Sequence, residues 1–221
     1  MSDYQPTSRR PIAQAFRRTA TWCVNLCVRF KVHPDTVSYS SVFAAAIAGL
    51  SFWQGYDKPW LLIMGVAWCG VRLWLNMLDG MVALASGQAS LRGEIVNELP
   101  DRLSDILIFV GVAHSGLCYV VCGYWAAMMA LCTAYVGTLA QAVGARRQFG
   151  GVMSKPWRMA VVMLGACVVA VQLISGRGVQ RILSLTVMDW TCCVIVLGCI
   201  QTIGVRLLRL LREVRDIESS R

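Results

Sequence analysis

A chain of 221 residues is long enough for one sizeable packed unit, and 57% of this one is hydrophobic, above the usual share for a soluble domain. Its net charge of +9 raises nucleic acid as a partner, but the placement of the charges excludes that reading. With the N-terminus inside, all but Lys58, Arg177 and Arg181 of the 21 Lys and Arg fall on the inner side, the bias that orients membrane proteins.

The first 31 residues are polar and Arg-rich. They lack the short apolar core and small-residue cleavage site of a signal peptide, so none is expected. Residues 11–30 read as an amphipathic helix on the membrane surface. Ile12, Phe16, Ala20, Cys23, Cys27 and Phe30 recur at three- to four-residue steps, with Arg17, Arg18 and Asn25 elsewhere. Apolar burial and attraction to an anionic leaflet both hold such a helix in place.

Six apolar stretches follow, near 36–54, 60–79, 103–117, 119–143, 159–175 and 185–207. A spanning helix needs roughly 20 residues, so the third is too short unless it begins on the polar residues before it. The expected fold class is all-α: a six-transmembrane-helix bundle with an N-terminal surface helix. Residues 1–31 form the cytoplasmic segment, 32–210 the membrane domain and 211–221 a cytoplasmic tail. Most of the ten cysteines lie in apolar stretches as small hydrophobes, and only Cys118 and Cys122 are placed to pair. His33 and His114 lie far apart in this topology, and neither is assigned a catalytic role.

Charged residues inside spanning segments mark function by default. Here they concentrate between Arg72 and Asp105, at the cytoplasmic ends of the second and third spans. At about 100° per residue, Arg72, Asn76, Asp79 and Ala83 form one stripe. If 94–105 is also helical, Glu94, Asn97, Glu98, Asp101 and Asp105 form another, and two antiparallel neighbours would bring the stripes together. A cluster of oxygen ligands suits Mg²⁺ or Mn²⁺ bridging carboxylates to a substrate phosphate. Gly80, Ala83, Gly87 and Gly93 keep the walls low for a bulky ligand. Blander readings stand beside this one. The polar residues could glue helices together; Asp101 and Asp105 could pair inertly with Arg102 or Arg72; Asn97 could be an N-cap with Pro100 in the first turn.

The window resembles the CDP-alcohol phosphotransferases, whose pattern is D-x-x-D-G-x-x-A-R-x(8)-G-x-x-x-D-x-x-x-D. This chain reads Asn76-x-x-Asp79-Gly80-x-x-Ala83-Leu84-x(8)-Gly93-x-x-x-Asn97-x-x-x-Asp101, matching five of the eight positions without insertion or deletion. Two aspartates are asparagine and the arginine is leucine. His33-Pro34-Asp35-Thr36 before the first span also looks like the family's approach to that helix.

The resemblance implies transfer of a phosphoalcohol group from a CDP-alcohol, such as CDP-diacylglycerol, to an acceptor alcohol, with release of CMP, in phospholipid biosynthesis. It implies a divalent-metal site, Mg²⁺ or Mn²⁺, at Asn76, Asp79, Asn97 and Asp101, with Asp101 also the candidate base. Gly80, Ala83 and Gly93 would line the CDP pocket. Glu94, Glu98 and Asp105 are candidates to restore the lost carboxylates, and Arg72 to restore the lost positive charge. Arg146, Arg147, Lys155 and Arg158, around Gly150-Gly151, could hold an acidic acceptor or headgroup, although the positive-inside bias alone would put them there. A homodimer in a bacterial inner membrane is implied by family only. Two rivals remain at this stage: a non-catalytic homologue that binds nucleotide or lipid, and a small transporter. A cluster at one surface argues against the transporter, whose sites lie near the midplane.

Overall fold

The structure, a computed structural model, describes residues 17–87 and 91–219, with side chains for 21–87 and 98–219. In chain order the helices are α1 (Arg17–Arg29), α2 (Pro34–Trp53), α3 (Trp60–Ala85), α4 (Leu91–Ala113), α5 (Val120–Ala142), α6 (Lys155–Ile174) and α7 (Val187–Ser219). A two-stranded hairpin, β1 (Arg181–Ile182) and β2 (Leu185–Thr186), precedes α7.

Five of these helices, α2, α3, α5, α6 and α7, are long and apolar enough to cross a membrane. The chain is a multi-pass membrane protein of the all-α class. The expected third span is α4. It does begin on the polar residues, at Leu91, and the charges in its first half keep it outside the apolar criterion that the other five meet. Pro100 lies inside α4 rather than in its first turn, which removes the reading of Asn97 as an N-cap. The stripe from Glu94 to Asp105 therefore sits on one helix.

Helix starts follow the local sequence. At α2, Pro34 supplies a preset φ and the Asp35 N–H donates to His33 Nδ1 at 3.3 Å, so His33 is a cap. At α7, Thr186 and Asp189 form a reciprocal cap. The Asp189 N–H donates to Thr186 Oγ1 at 3.0 Å, and the Thr186 N–H donates to Asp189 Oδ2 at 2.8 Å. Asp189 is fully buried, and its other oxygen accepts the Tyr119 N–H, so this carboxylate fixes two connections at once.

In packing, α2 lies against both α3 and α4. Helix α3 also meets α6, α4 meets α5, and α7 meets α5 and α6. Small residues set the spacing. A Cβ on Gly111 of α4 would strike the Gly49 backbone of α2, and a Cβ on Gly49 would strike the Leu107 carbonyl. The core joins Phe52, Leu62, Phe109, Val162 and Ile195. Many large apolar side chains face outward, among them Phe43, Leu164, Val171 and Leu197, as a lipid solvent permits.

Helix α1 packs Val24 with Cys23 and Cys27 against Leu78 and Val82 of α3, while Trp22, Leu26 and Phe30 are exposed. Ile12, Phe16 and the side chain of Ala20 lie outside the described residues. All ten cysteines are free, so Cys118 and Cys122 are not paired. Helix α7 runs unbroken across the expected 210/211 boundary to Ser219.

Two measurements test this fold. Gly111→Val should lower the unfolding temperature in detergent, through an overpacking cost of about 1–3 kcal/mol or more against backbone; an unchanged temperature would contradict the contact with Gly49. Cysteine labelling in vesicles should place residue 3, the 146–158 loop and residue 218 on the cytoplasmic side, and residues 57 and 178 on the other.

Candidate active site

Three helices build the site, each contributing two residues about one turn apart: Arg72 and Asn76 on α3, Asp105 and Asp101 on α4, Arg158 and Lys155 on α6. Helices α3 and α4 both pack on α2, and their polar side chains meet across the bundle, so the six side chains stack as two layers of three.

The inner layer is ionic. Arg72 Nη2 donates to Asp105 Oδ1 at 2.9 Å, and Arg158 Nη2 donates to Asp105 Oδ2 at 2.7 Å. None of the three side chains is more than 2% exposed. Arg158 Nη1 also donates to the Met153 carbonyl at 3.1 Å, and Arg72 Nη2 to the Asp101 carbonyl at 3.4 Å.

The outer layer is mixed. Asn76 Nδ2 donates to Asp101 Oδ1 at 2.8 Å, and Lys155 Nζ donates to Asn76 Oδ1 at 2.8 Å. Lys155 closes the ring through an ion pair with Asp101 Oδ2. Asp79 lies beside this ring and is 3% exposed. Its Oδ2 accepts from Ser38 Oγ of α2 at 2.9 Å, and its Oδ1 accepts the Gly80 N–H at 2.6 Å. Gly80 itself is exposed, with nothing within 4 Å of where a Cβ would stand, so α3 presents bare backbone to a ligand there. Ala83, one turn on, is half-buried.

Lys155 is delivered by a clamped loop. Arg206 of α7 donates to the Gly150 carbonyl at 2.9 Å and to the Thr133 carbonyl at 2.6 Å. Thr202 Oγ1 accepts the Met153 N–H at 2.9 Å. Glu213 accepts the Arg146 N–H and Gln148 Nε2, each at 2.8 Å. Gly151, at φ +101°, leaves no room for a side chain against Thr202.

The structure thus joins Asn76, Asp79 and Asp101 as the sequence stripes imply. It redistributes several other candidates. Arg72, expected beside a nucleotide, is fully buried under Asp101, where it shares the Asp105 carboxylate with Arg158, as buried charges need partners in low dielectric. Asp105, expected as a supplementary ligand, is held by two guanidinium groups. Arg158, expected in an acceptor patch, is the second of them. Lys155 points into the acidic ring instead of toward an acceptor. Glu98 pairs with Arg102 and Arg147, and Arg147 also lies over the Phe149 ring at 5.4 Å. Of the four basic loop candidates, Arg146 alone is exposed. The side chains of Glu94 and Asn97, and the surroundings of Gly93, lie outside the described residues. Ser38, Thr202, Arg206 and Glu213 were not singled out from sequence; each is one polar residue on a helix, with its partner on another helix or in the loop between α5 and α6.

The donor set suits one divalent cation better than two. Both oxygens of Asp79 and Oδ2 of Asp101 carry one described hydrogen bond or ion pair each, and Oδ1 of Asp101 carries a hydrogen bond from Asn76 and an ion pair with Arg72, so Asp79 keeps the more acceptor capacity; the two groups are near enough to interact electrostatically. Where a second ion would use Asn76, an ammonium is already bound. Among the described residues no group of three or more His, Cys, Asp or Glu is arranged to hold a metal.

Phosphatidylinositol phosphate synthase of Mycobacteroides abscessus is 26% identical over 168 residues, 69% of this chain and 70% of that protein. Archaetidylinositol phosphate synthase of Methanothermobacter thermautotrophicus is 24% identical over 138 residues, 62% of this chain and 68% of that one. Both relatives are named as synthases of inositol-phosphate lipids, and this chain is similar to them over most of its length. No protein-family model matches it. The phosphatidylinositol phosphate synthase PgsA1 of Mycobacterium tuberculosis, solved with CDP-DAG bound, superposes with a TM-score of 0.71 at 20% identity, over 87% of this chain and 94% of that one. The same protein solved with manganese and citrate gives 0.71 over 87% and 88%. PgsA1 thus shares this fold.

Asp105→Asn should be strongly destabilising, since it leaves two buried guanidinium groups without their common partner. Breaking a buried ion pair costs about 3–5 kcal/mol. Thermal unfolding in detergent should show a large drop, whereas Glu98→Gln, at a half-exposed pair, should show little.

Proposed function

We propose that this chain transfers a phosphoalcohol group, such as phosphatidyl, from a CDP-alcohol to an acceptor alcohol and releases CMP, in phospholipid biosynthesis. The observation that carries the reading is the convergence of Asp79, Asp101 and the open backbone at Gly80, at matching positions of the family pattern. Two relatives that are synthases of inositol-phosphate lipids support it, as does the shared fold of a protein solved with CDP-DAG.

Asp79 and Asp101 would hold a divalent cation, Mg²⁺ or Mn²⁺, which neutralises charge on the reacting diphosphate. Gly80, Ala83 and Gly93 would let the nucleotide lie against the helices. Asp101 is the candidate base for the acceptor hydroxyl proton, its carboxylate oriented by Asn76 and Lys155. Arg146 and Arg147, near the cytoplasmic mouth, are the remaining candidates for an anionic acceptor. The relatives' names point to a phosphorylated polyol as the acceptor class. The site would face the cytoplasm, where CDP-linked substrates and water-soluble acceptors meet the lipid surface. A second reading, binding of the CDP-alcohol without turnover, is favoured by the lysine seated in the acidic ring.

CMP release from CDP-diacylglycerol, with a panel of acceptors including inositol phosphate and with Mg²⁺ or Mn²⁺, tests both. Asp101→Asn should lower turnover by roughly 10²–10⁴-fold while CDP affinity changes far less. Asp79→Asn should weaken metal and CDP binding together. CDP binding without CMP release across the panel would establish the binder in place of the enzyme.

A further inference from the structure

We propose that the Lys155 ammonium is a built-in cation holding the place that a divalent ion would take between positions 76 and 101. The inference rests on the family reading of the site above, and it concerns how the site's charge is supplied.

The argument begins with geometry. Lys155 Nζ contacts one oxygen of Asn76 and one of Asp101, the two side chains that the stripes of α3 and α4 turn toward each other. Its own side chain is only 16% exposed, so it is committed to the ring rather than sampling water. The loop before it is held at Gly150, Met153, Arg146 and Gln148 by α7, which brings the first residue of α6 to this point.

Charge gives the same answer. Asp79, Asp101 and Asp105 stand against Arg72, Lys155 and Arg158. Among the described residues these six groups sum to zero, and two further divalent ions would leave them at +4. Asn76 fits this balance better than aspartate would. Its amide accepts from the ammonium and donates to Asp101, whereas a carboxylate cannot donate and would repel Asp101 unless more positive charge lay between them.

Mn²⁺ stoichiometry on purified protein in detergent, read by electron paramagnetic resonance and calorimetry, tests this without substrate. The combined variant Asn76→Asp with Lys155→Met should bind one more Mn²⁺ per chain than the unaltered protein. Lys155→Arg, which keeps the charge, should not. Lys155→Met alone should tighten Mn²⁺ binding by tenfold or more, and it serves if the combined variant does not elute as a folded species. An unchanged stoichiometry in a folded combined variant, two Mn²⁺ ions in the unaltered chain, or unchanged affinity in Lys155→Met would overturn the inference. If the unaltered chain binds no Mn²⁺ and the combined variant binds one, the inference stands and the divalent ion of the proposed reaction is lost instead.

Discussion

The site depends on the Asp105 carboxylate, shared by Arg72 and Arg158. Charges buried this deeply are stable only when paired and hydrogen-bonded. Since the three come from α3, α4 and α6, satisfying them fixes the relative depth of three helices. A slide of α4 by one turn would carry Asp105 out of reach of both guanidinium groups. It would also carry Asp101 away from Asn76, because the two aspartates are four residues apart on one helix face. Apolar contacts such as Phe52 with Leu62 and Phe109 supply cohesion, but they tolerate sliding in a way that a bidentate carboxylate does not.

From that anchor the outer layer follows. One turn outward on each helix lie Asn76, Asp101 and Lys155, so a register set by charge is transmitted into the placement of the functional groups. Helix α2 adds Ser38 to hold Asp79, and it can do so because Gly49 and Gly111 let α2 approach α4 closely. Helix α7 acts from the other side by restraining the 146–154 loop. Every helix from α2 to α7 thus contributes a polar contact to the site or to the loop that feeds it; α5 does so through the Gly137 carbonyl, which accepts the Gln148 N–H at 3.2 Å, and it also contributes the Thr133 carbonyl that seats Arg206.

Much of this was legible in the sequence wherever the signal was local. The surface helix, the apolar stretches and the two polar stripes are periodic patterns within single segments. The family-like spacing from Asn76 to Asp101 lies within one hairpin of helices. What could not be read was which cation goes with which carboxylate. Lys155 and Arg158 sit in a basic loop whose composition the positive-inside bias already explains, and their partners are 79 and 53 residues away. Nothing local separates an arginine that snorkels from one that is fully buried; that depends on a carboxylate delivered by another helix. Arg72 carried the same ambiguity, and its side chain proved to lie inside the bundle. The apolar stretch expected over 185–207 covers the first part of α7, and the helix continues through the charged residues beyond it: charged residues end an apolar span without ending a helix, and Arg209, Arg212 and Arg215 are all good helix formers.

The asparagine at 76 makes sense only together with Lys155. Read letter by letter, asparagine at 76 is a lost charge and a weakened metal site. Read in place, it is an amide between an ammonium and a carboxylate, with its acceptor facing one and its donor facing the other. An aspartate there would require a cation on its far side; an asparagine requires one donor and one acceptor, and Lys155 and Asp101 are these. The neutrality at 76 is therefore matched by a positive charge supplied from α6, a helix outside the motif altogether. A motif departure of this kind need not mean a decayed site. It can mean that the electrostatic work has moved to a residue the motif does not include, and the arrangement to look for is a lysine or arginine from a third helix ending among the motif's oxygens.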